Sequence, residues 1–215
     1  MFEQFRSLFF EYEPWLIFLP WLLALSKQLY YPPALKTIFH YLSLAVVTHV
    51  LSFTLWKLKK NNLIILHIYT VAEYLILLRY YYLLLKGYLP VMLFIILAFA
   101  FPLFSILDTL LIEDPLEANT YSRTVEALLF IFLSVSWFVK SVSEISPGNP
   151  SNRSLHLITR GFLIYFAGSV MLFSFVDNIN QLAKPFRMNV WSIHTLLLVI
   201  LYLLISIGLW KHNKK

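Results

Sequence analysis

The sequence predicts an all-α polytopic integral membrane protein, a bundle of seven transmembrane helices. Of its 215 residues, 60% are hydrophobic and only 13% are charged, whereas a soluble domain carries about 25% charged residues. The mean hydropathy is +0.73, and apolar runs of near-spanning length follow one another. The polar stretches between them have the length of loops, so we expect a single transmembrane domain over residues 1–215.

Proline, glycine and polar residues divide the sequence into seven apolar runs, and the ends of each run are defined to within ~2–4 residues. The expected spans cover residues 13–31, 36–56, 63–85, 89–111, 121–142, 155–176 and 189–210. Glu11 and Glu13 precede the apolar residues of the first span, which begin at Pro14, where a signal peptide would be basic, so we expect a retained span there. Pro20, Pro90 and Pro102 are expected to kink or end the first and fourth spans.

Charge at the span ends predicts the orientation. The face that holds the N-terminus has seven basic residues and the opposite face has ten. Because positive charge favours the cytoplasm, we expect the N-terminus outside and the C-terminus inside. The net charge of +6 therefore reflects topology and not nucleic-acid binding, since the basic residues form no dense patch. The absence of cysteine excludes disulfides and thiol catalysis.

Several side chains near the span ends are typical of the membrane interface. Trp15, Trp56, Trp137, Trp191, Trp210 and Tyr80 to Tyr82 are expected in aromatic belts. Lys140 and Arg160 would extend toward the headgroups, and Arg123 would pair with Glu126 at the surface. Asp108 would be a solvated edge residue. Gly161 and Gly168, seven residues apart, would let the sixth span pack closely against a neighbour.

The third span contains ionisable residues at membrane depth, in the sequence HIYTVAEY from His67 to Tyr74. A charged group at the centre of a span costs roughly 2.5–3.5 kcal/mol on translocon scales. At about 100° per residue, His67 and Thr70 share one helix face, and Tyr69 and Glu73 share the adjacent one. Such a broad polar arc predicts a central helix. These residues either contact a ligand or only join neighbouring helices through hydrogen bonds.

Most acids and histidines at membrane depth lie in the half of the bilayer that holds the N-terminus. This distribution predicts an outward-facing polar pocket that binds or senses a small amphipathic or lipid-like ligand. The expected ligand-binding residues are His67, Thr70, Glu73, Tyr69, His49, Glu126 and His194. Besides the lipid bilayer and this ligand, a membrane-protein partner or a second copy of the chain is an expected partner.

Two other functions fit the same residues. In an intramembrane hydrolase, His49, His67 and His194 would bind zinc and Glu73 would act as the base. In a proton-coupled transporter, Glu73 and the histidines would relay protons. No cofactor is expected under the sensor hypothesis. A retinal Schiff base in the seventh span is excluded because residues 189–210 contain no lysine, and that span also lacks the HxxxH pair of ceramidase-like hydrolases.

The phrase from His67 to Tyr74 is similar to one in the third span of small seven-span proteins from Bacteroidota, which carry HIYTxxEY or HIYTxxEF. The resemblance covers this helix closely and the remaining spans in outline. It implies a multi-pass protein of the bacterial inner membrane. It implies no activity.

Overall fold

The computed structural model describes residues 13–27, 31–116, 119–143 and 150–212. Residues 144–149, in the connection between the fifth and sixth predicted spans, and the basic residues Arg6, Lys214 and Lys215 lie outside these ranges. Apart from one isolated backbone bridge in a turn, between Lys86 and Leu89, the described residues form helices and connections without strands. The prediction of an all-α polytopic membrane bundle is confirmed.

Eight α-helices follow one another along the described chain. They are α1 (Phe18–Lys27), α2 (Pro33–Lys57), α3 (Leu63–Leu85), α4 (Val91–Leu111), α5 (Thr120–Ser143), α6 (Pro150–Ser174), α7 (Val176–Gln181) and α8 (Lys184–Lys211). Six of them, α2 to α6 and α8, are long and apolar enough to cross a membrane. Helix α7 is a single short segment between α6 and α8.

The first predicted span, 13–31, is shorter than expected among the described residues. A 3₁₀ turn, Glu13–Ile17, leads into α1, which ends at Lys27. At about 2.0 Å per 3₁₀ residue and 1.5 Å per α-helical residue, the two together extend roughly 25 Å, less than the ~30 Å hydrocarbon core. Pro20 lies in the first turn of α1, where a helix does not need its N–H, so it does not end the helix.

The long helices alternate in direction, so the bundle has two faces. Asn61, before α3, donates a hydrogen bond to the carbonyl of Leu116, before α5 (3.2 Å). At the opposite end, the rings of Tyr31 and His212 lie 5.6 Å apart. We call the first end, which also holds Glu13, the N-face and the other end the C-face.

Helix α3 is central, as its polar arc predicts. Three of its tyrosines are fully buried, and each is hydrogen-bonded to a different helix. Tyr74 donates to the carbonyl of Leu97 on α4 (3.2 Å), Tyr80 pairs with Thr159 on α6 (2.9 Å), and Tyr81 pairs with Ser134 on α5 (2.5 Å). The prediction of an interfacial belt is therefore wrong for Tyr80 and Tyr81, because their hydroxyl groups have partners inside the bundle.

Lys140 also has a different role from the one predicted. Its side chain is buried, and its Nζ donates to the carbonyls of Leu84 (2.8 Å) and Lys86 (3.3 Å) at the end of α3. The last carbonyls of a helix have no partner within the helix and carry partial negative charge, so a cation there is favourable. Lys140 on α5 thus caps α3 instead of extending to the headgroups.

Small residues allow α6 and α8 to pack closely. A Cβ on Gly168 would overlap the end of the Leu197 side chain, and one on Gly161 would lie 3.2 Å from Leu201 Cδ1. On the other helix, a Cβ on Gly208 would lie 2.7 Å from Ile158 Cγ1 and 3.0 Å from the carbonyl oxygen of Ser154. The glycines of the sixth predicted span lie on the face that contacts α8, which is the close packing expected for them.

Candidate functional site

The centre of the site is Glu73, about ten residues into α3 and therefore about 15 Å from the start of that helix. Its side chain is only 3% exposed. Tyr69, one turn earlier, donates a hydrogen bond from its hydroxyl to Glu73 Oε1 (3.0 Å). The helical periodicity places both side chains on one face of α3, toward the interior of the bundle.

Arg123, in the first turn of α5, binds this carboxylate. Its Nη1 lies 2.5 Å from Glu73 Oε2 and 3.1 Å from Glu126 Oε2. The guanidinium carbon lies 5.2 Å from the centre of the Tyr69 ring, within cation–π distance. We call Glu73, Arg123 and Glu126 the ion triad. The triad joins α3 to α5 inside the membrane-spanning part of the bundle.

The predicted surface ion pair between Arg123 and Glu126 is therefore wrong. The Glu126 side chain is fully buried and that of Arg123 is 14% exposed. The cause is the inward face of α5, on which Ser122, Glu126 and Phe130 recur every four residues and are buried. Glu73 on the neighbouring helix then provides a second acceptor for the guanidinium in the interior.

The ion triad contains two carboxyl groups and a single guanidinium cation. One guanidinium can neutralise only one of the two carboxylates. Glu126 Oε1 is buried and accepts no hydrogen bond from any described residue. An unsatisfied buried acceptor costs about 1–3 kcal/mol, and more when the group is charged. The triad is thus suited to a further hydrogen-bond donor or cation.

Tyrosines from three other helices lie in the same region of the bundle. The Tyr41 side chain on α2 and that of Tyr165 on α6 are buried, and both lie within electrostatic range of Glu73 and Arg123. Tyr202 on α8 lies within the same range of Tyr41 and Tyr69. Aromatic rings with hydroxyl groups provide both apolar walls and polar contacts. The site therefore draws side chains from α2, α3, α5, α6 and α8.

A second group of polar residues lies nearer the N-face, where α3, α4 and α5 meet. His67 Nδ1 lies 3.0 Å from Thr109 Oγ1, and Asn119 donates to Thr70 Oγ1 (3.1 Å). Asp108 accepts a hydrogen bond from Ser122 (2.7 Å), while its Oδ1 has no hydrogen-bond partner among the described residues.

The prediction that Asp108 is a solvated edge residue is wrong. Its side chain is fully buried, because α5 covers the face of α4 on which it lies. His67 and Thr70 likewise contact neighbouring helices. These contacts match the alternative in which such residues join helices through hydrogen bonds.

The three histidines of the zinc hypothesis are in three different environments. The His49 ring packs against Trp15 (5.5 Å) and Phe53 (6.3 Å), and the His194 ring against Phe173 (5.5 Å). His67 instead contacts Thr109. Within the ranges that the structure describes, no group of three or more His, Cys, Asp or Glu side chains could hold a metal ion. The set of His49, His67 and His194 does not converge, since each ring is held by neighbours of its own.

The structure thus brings together Tyr69, Glu73 and Glu126 from the predicted site. It places His67 and Thr70 one to two turns away on the same helix, and His49 at the contact of the 3₁₀ turn with α2. His194 lies beside Tyr165 (5.7 Å), at the edge of the tyrosine cluster. Arg123, Tyr41, Tyr165 and Tyr202 were not among the predicted site residues. The i, i+3 spacing of Arg123 and Glu126 in the sequence indicates that they pair, but it does not indicate that Arg123 also binds Glu73 on α3.

The fold and the ion triad define a multi-pass α-helical membrane protein with a charged cluster inside the bundle. Comparisons of the chain with protein-family models, with curated proteins and with solved structures found no significant match.

Proposed function

We propose that this multi-pass membrane protein binds a small amphipathic ligand at the ion triad and acts as a receptor or sensor. The observation that carries the proposal is the buried Glu126 Oε1, which accepts no hydrogen bond from the described part of the chain and lies beside a guanidinium shared by two carboxylates. A ligand headgroup that donates a hydrogen bond or carries positive charge would satisfy this oxygen. The apolar part of the ligand would lie against the surrounding tyrosine rings.

The exposure of the triad side chains indicates from which face of the bundle the proposed ligand enters. Arg123 is the most exposed of the three side chains and lies about 5 Å from the start of α5, at the N-face. We propose that the ligand enters from the N-face, and that this face is outside a bacterial inner membrane. The smaller number of basic residues on that side supports this orientation. Arg123 is largely buried and Lys140 is buried. They come from opposite faces, so leaving both out of the counts does not change the difference in basic residues between the faces.

Three probes with the same chain and different headgroups test the proposal: dodecylamine, dodecanol and dodecanoate. Each is added below its micellar concentration to the protein in nanodiscs, and the shift in melting temperature is measured. We expect the amine to stabilise the protein most, the alcohol less, and the carboxylate not at all. In Glu126→Gln the preference for the amine should disappear, because the amide carries no negative charge.

Asp114→Asn is the matched control, because Asp114 is an exposed acid on the N-face outside the triad. It should leave the order of the three probes unchanged. Equal shifts for the three headgroups, or the same amine preference in Glu126→Gln, would show that the triad is not the binding site.

Proton-coupled transport is the second candidate, because two carboxylates share one guanidinium inside the bundle. A carboxylate without a full partner is the group that proton relays use in membranes. Proteoliposomes with an internal pH dye distinguish this function from ligand binding alone. Proton flux above that of empty liposomes, lost in Glu126→Gln and retained in Asp114→Asn, would support it; flux at the level of empty liposomes would exclude it.

A further inference from the structure

An apolar groove lies between α3 and α4 near the C-face, away from the ion triad. Its volume is about 310 Å³, and its walls include Leu75 and Tyr82 on α3 and Phe94, Ala98 and Phe99 on α4. This volume is at the low end of the range of ligand cavities, roughly 300–1,000 Å³. The ring of Phe99 is 75% exposed, so the groove lies on the surface that contacts lipid tails.

The groove is open because α4 lies at the edge of the bundle. It packs against α3 and α5, and it has the smallest buried share of the six long helices. Phe94 is nonetheless buried and contacts Tyr82 edge-to-face at 5.4 Å, which forms the floor. The lining thus combines a fixed aromatic floor with exposed apolar rims.

Arg79 is the one charged residue among the side chains that line the groove. It is exposed, and it has no ion-pair partner within the described part of the chain. It lies six residues before the end of α3, about 9 Å from the C-face end of the helix. A long arginine at this depth extends its guanidinium toward the headgroup region.

We infer that this groove binds an anionic glycerophospholipid of the C-face leaflet, with one acyl chain along the groove and the phosphate on Arg79. The charge supports the choice of lipid, since a guanidinium binds a phosphate with two parallel hydrogen bonds. The length supports it as well. The α4 side of the groove extends from Val91 to Phe99, about 12 Å along the helix, close to the ~15 Å of half a hydrocarbon core.

Native mass spectrometry of the delipidated protein tests this inference. Phosphatidylglycerol and phosphatidylcholine with identical acyl chains are titrated separately, and the first binding event is quantified. We expect tighter binding of phosphatidylglycerol to the wild-type protein. Arg79→Gln should weaken that binding about fivefold, the effect of one basic residue near an anionic headgroup, and weaken phosphatidylcholine less, because its choline cation offsets the phosphate charge. Arg79→Lys should retain most of the preference.

Ala98→Phe tests the groove itself, because a phenyl ring at this partly exposed position would fill it without entering the core. Both lipids should then lose the first binding event. Arg160→Gln is the control for charge, since Arg160 is an exposed arginine in the same half of the bundle, on α6. The inference is overturned if Arg79→Gln keeps the full preference for phosphatidylglycerol, or if Ala98→Phe binds both lipids as the wild-type protein does.

Discussion

The guanidinium of Arg123 lies 2.5 Å from the carboxylate of Glu73, although fifty residues separate them in sequence. This ion pair joins the first turn of α5 to the middle of α3, and its side chains are 14% and 3% exposed. When one partner of a buried ion pair is removed, the remaining charge is left without compensation. The stability of the bundle therefore depends on the pair as a unit.

The replacement Arg123→Gln should destabilise the protein by about 3–5 kcal/mol, because two buried carboxylates lose their cation. The midpoint of thermal unfolding in nanodiscs measures the loss. Arg160→Gln, which removes an exposed arginine, should change the midpoint little. The double variant Glu73→Gln, Arg123→Gln should be more stable than Arg123→Gln alone. Equal stability of the wild-type protein and Arg123→Gln would contradict a buried pair.

The hydrogen bond between Tyr81 and Ser134 should give a measurable coupling free energy. In a double-mutant cycle of Tyr81→Phe and Ser134→Ala, we expect about 0.6 kcal/mol and at most about 1.7 kcal/mol, the range of such bonds between membrane helices. Tyr82→Phe with Ser134→Ala is the control cycle, and its coupling should be close to zero. Unfolding in graded SDS mixtures provides the free energies. A zero coupling for Tyr81 would mean that its hydroxyl is satisfied elsewhere.

Among the glycines between α6 and α8, Gly208→Ala should destabilise the protein more than Gly168→Ala. The new Cβ at position 208 would meet the carbonyl oxygen of Ser154 at 3.0 Å, and backbone cannot move without shifting its helix. At position 168 the obstacle is the end of the Leu197 side chain, which can rotate away. Melting temperatures of the two variants in the same detergent test the order. The reverse order would place the closest helix contact near Gly168.

The loop before α5 should make stability depend on pH. Glu113 accepts hydrogen bonds from the backbone N–H groups of Thr120 (3.0 Å) and Tyr121 (3.2 Å). Burial raises the pKa of Glu113 above its ordinary value of about 4.5, and the nearby charge of Asp108 raises it further. The two hydrogen bonds oppose this shift. A carboxyl whose pKa is raised by folding stabilises the fold at pH values below its pKa in the unfolded state. This contribution is lost as pH rises through its pKa in the folded state.

Glu113→Gln should therefore gain stability relative to the wild-type protein as pH rises from about 4 to neutral. Thermal unfolding of both proteins across that range measures the difference. Asp114→Asn provides the comparison for an exposed acid in the same loop. A stability difference that stays constant with pH would show that folding does not change the pKa of Glu113.

Periodicity and hydropathy were sufficient for the class of fold and for the central place of α3. The apolar run 63–85 is long enough to span the bilayer, and polar residues on two of its faces require neighbours on both. Glu73 was identified for the same reason, since a carboxyl at that depth must find a partner. These conclusions depend on one helix at a time, which is the range over which sequence patterns are informative.

The partners of these residues depend on how helices meet, which no pattern within one helix reports. Arg123 lies near a span end, where an arginine is common at the lipid interface, and only Glu73 fifty residues earlier brings it inward. Tyrosines near the end of a span, such as Tyr80 and Tyr81, are typical of an interfacial belt. Their hydroxyl groups instead form hydrogen bonds with Thr159 and Ser134 inside the bundle. The three histidines do not converge as the zinc hypothesis requires, because residues at equal depth in the membrane can face different neighbours around the bundle.

The separation of Glu73 from Arg123 also affects how the protein is made. During synthesis Glu73 leaves the ribosome fifty residues ahead of its cation, so α3 must first enter the membrane with an uncompensated carboxyl group. On insertion scales one such group at mid-span costs roughly 2.5–3.5 kcal/mol. The ion pair can form only when α5 emerges beside α3, so α3 gains this stabilisation after its own insertion.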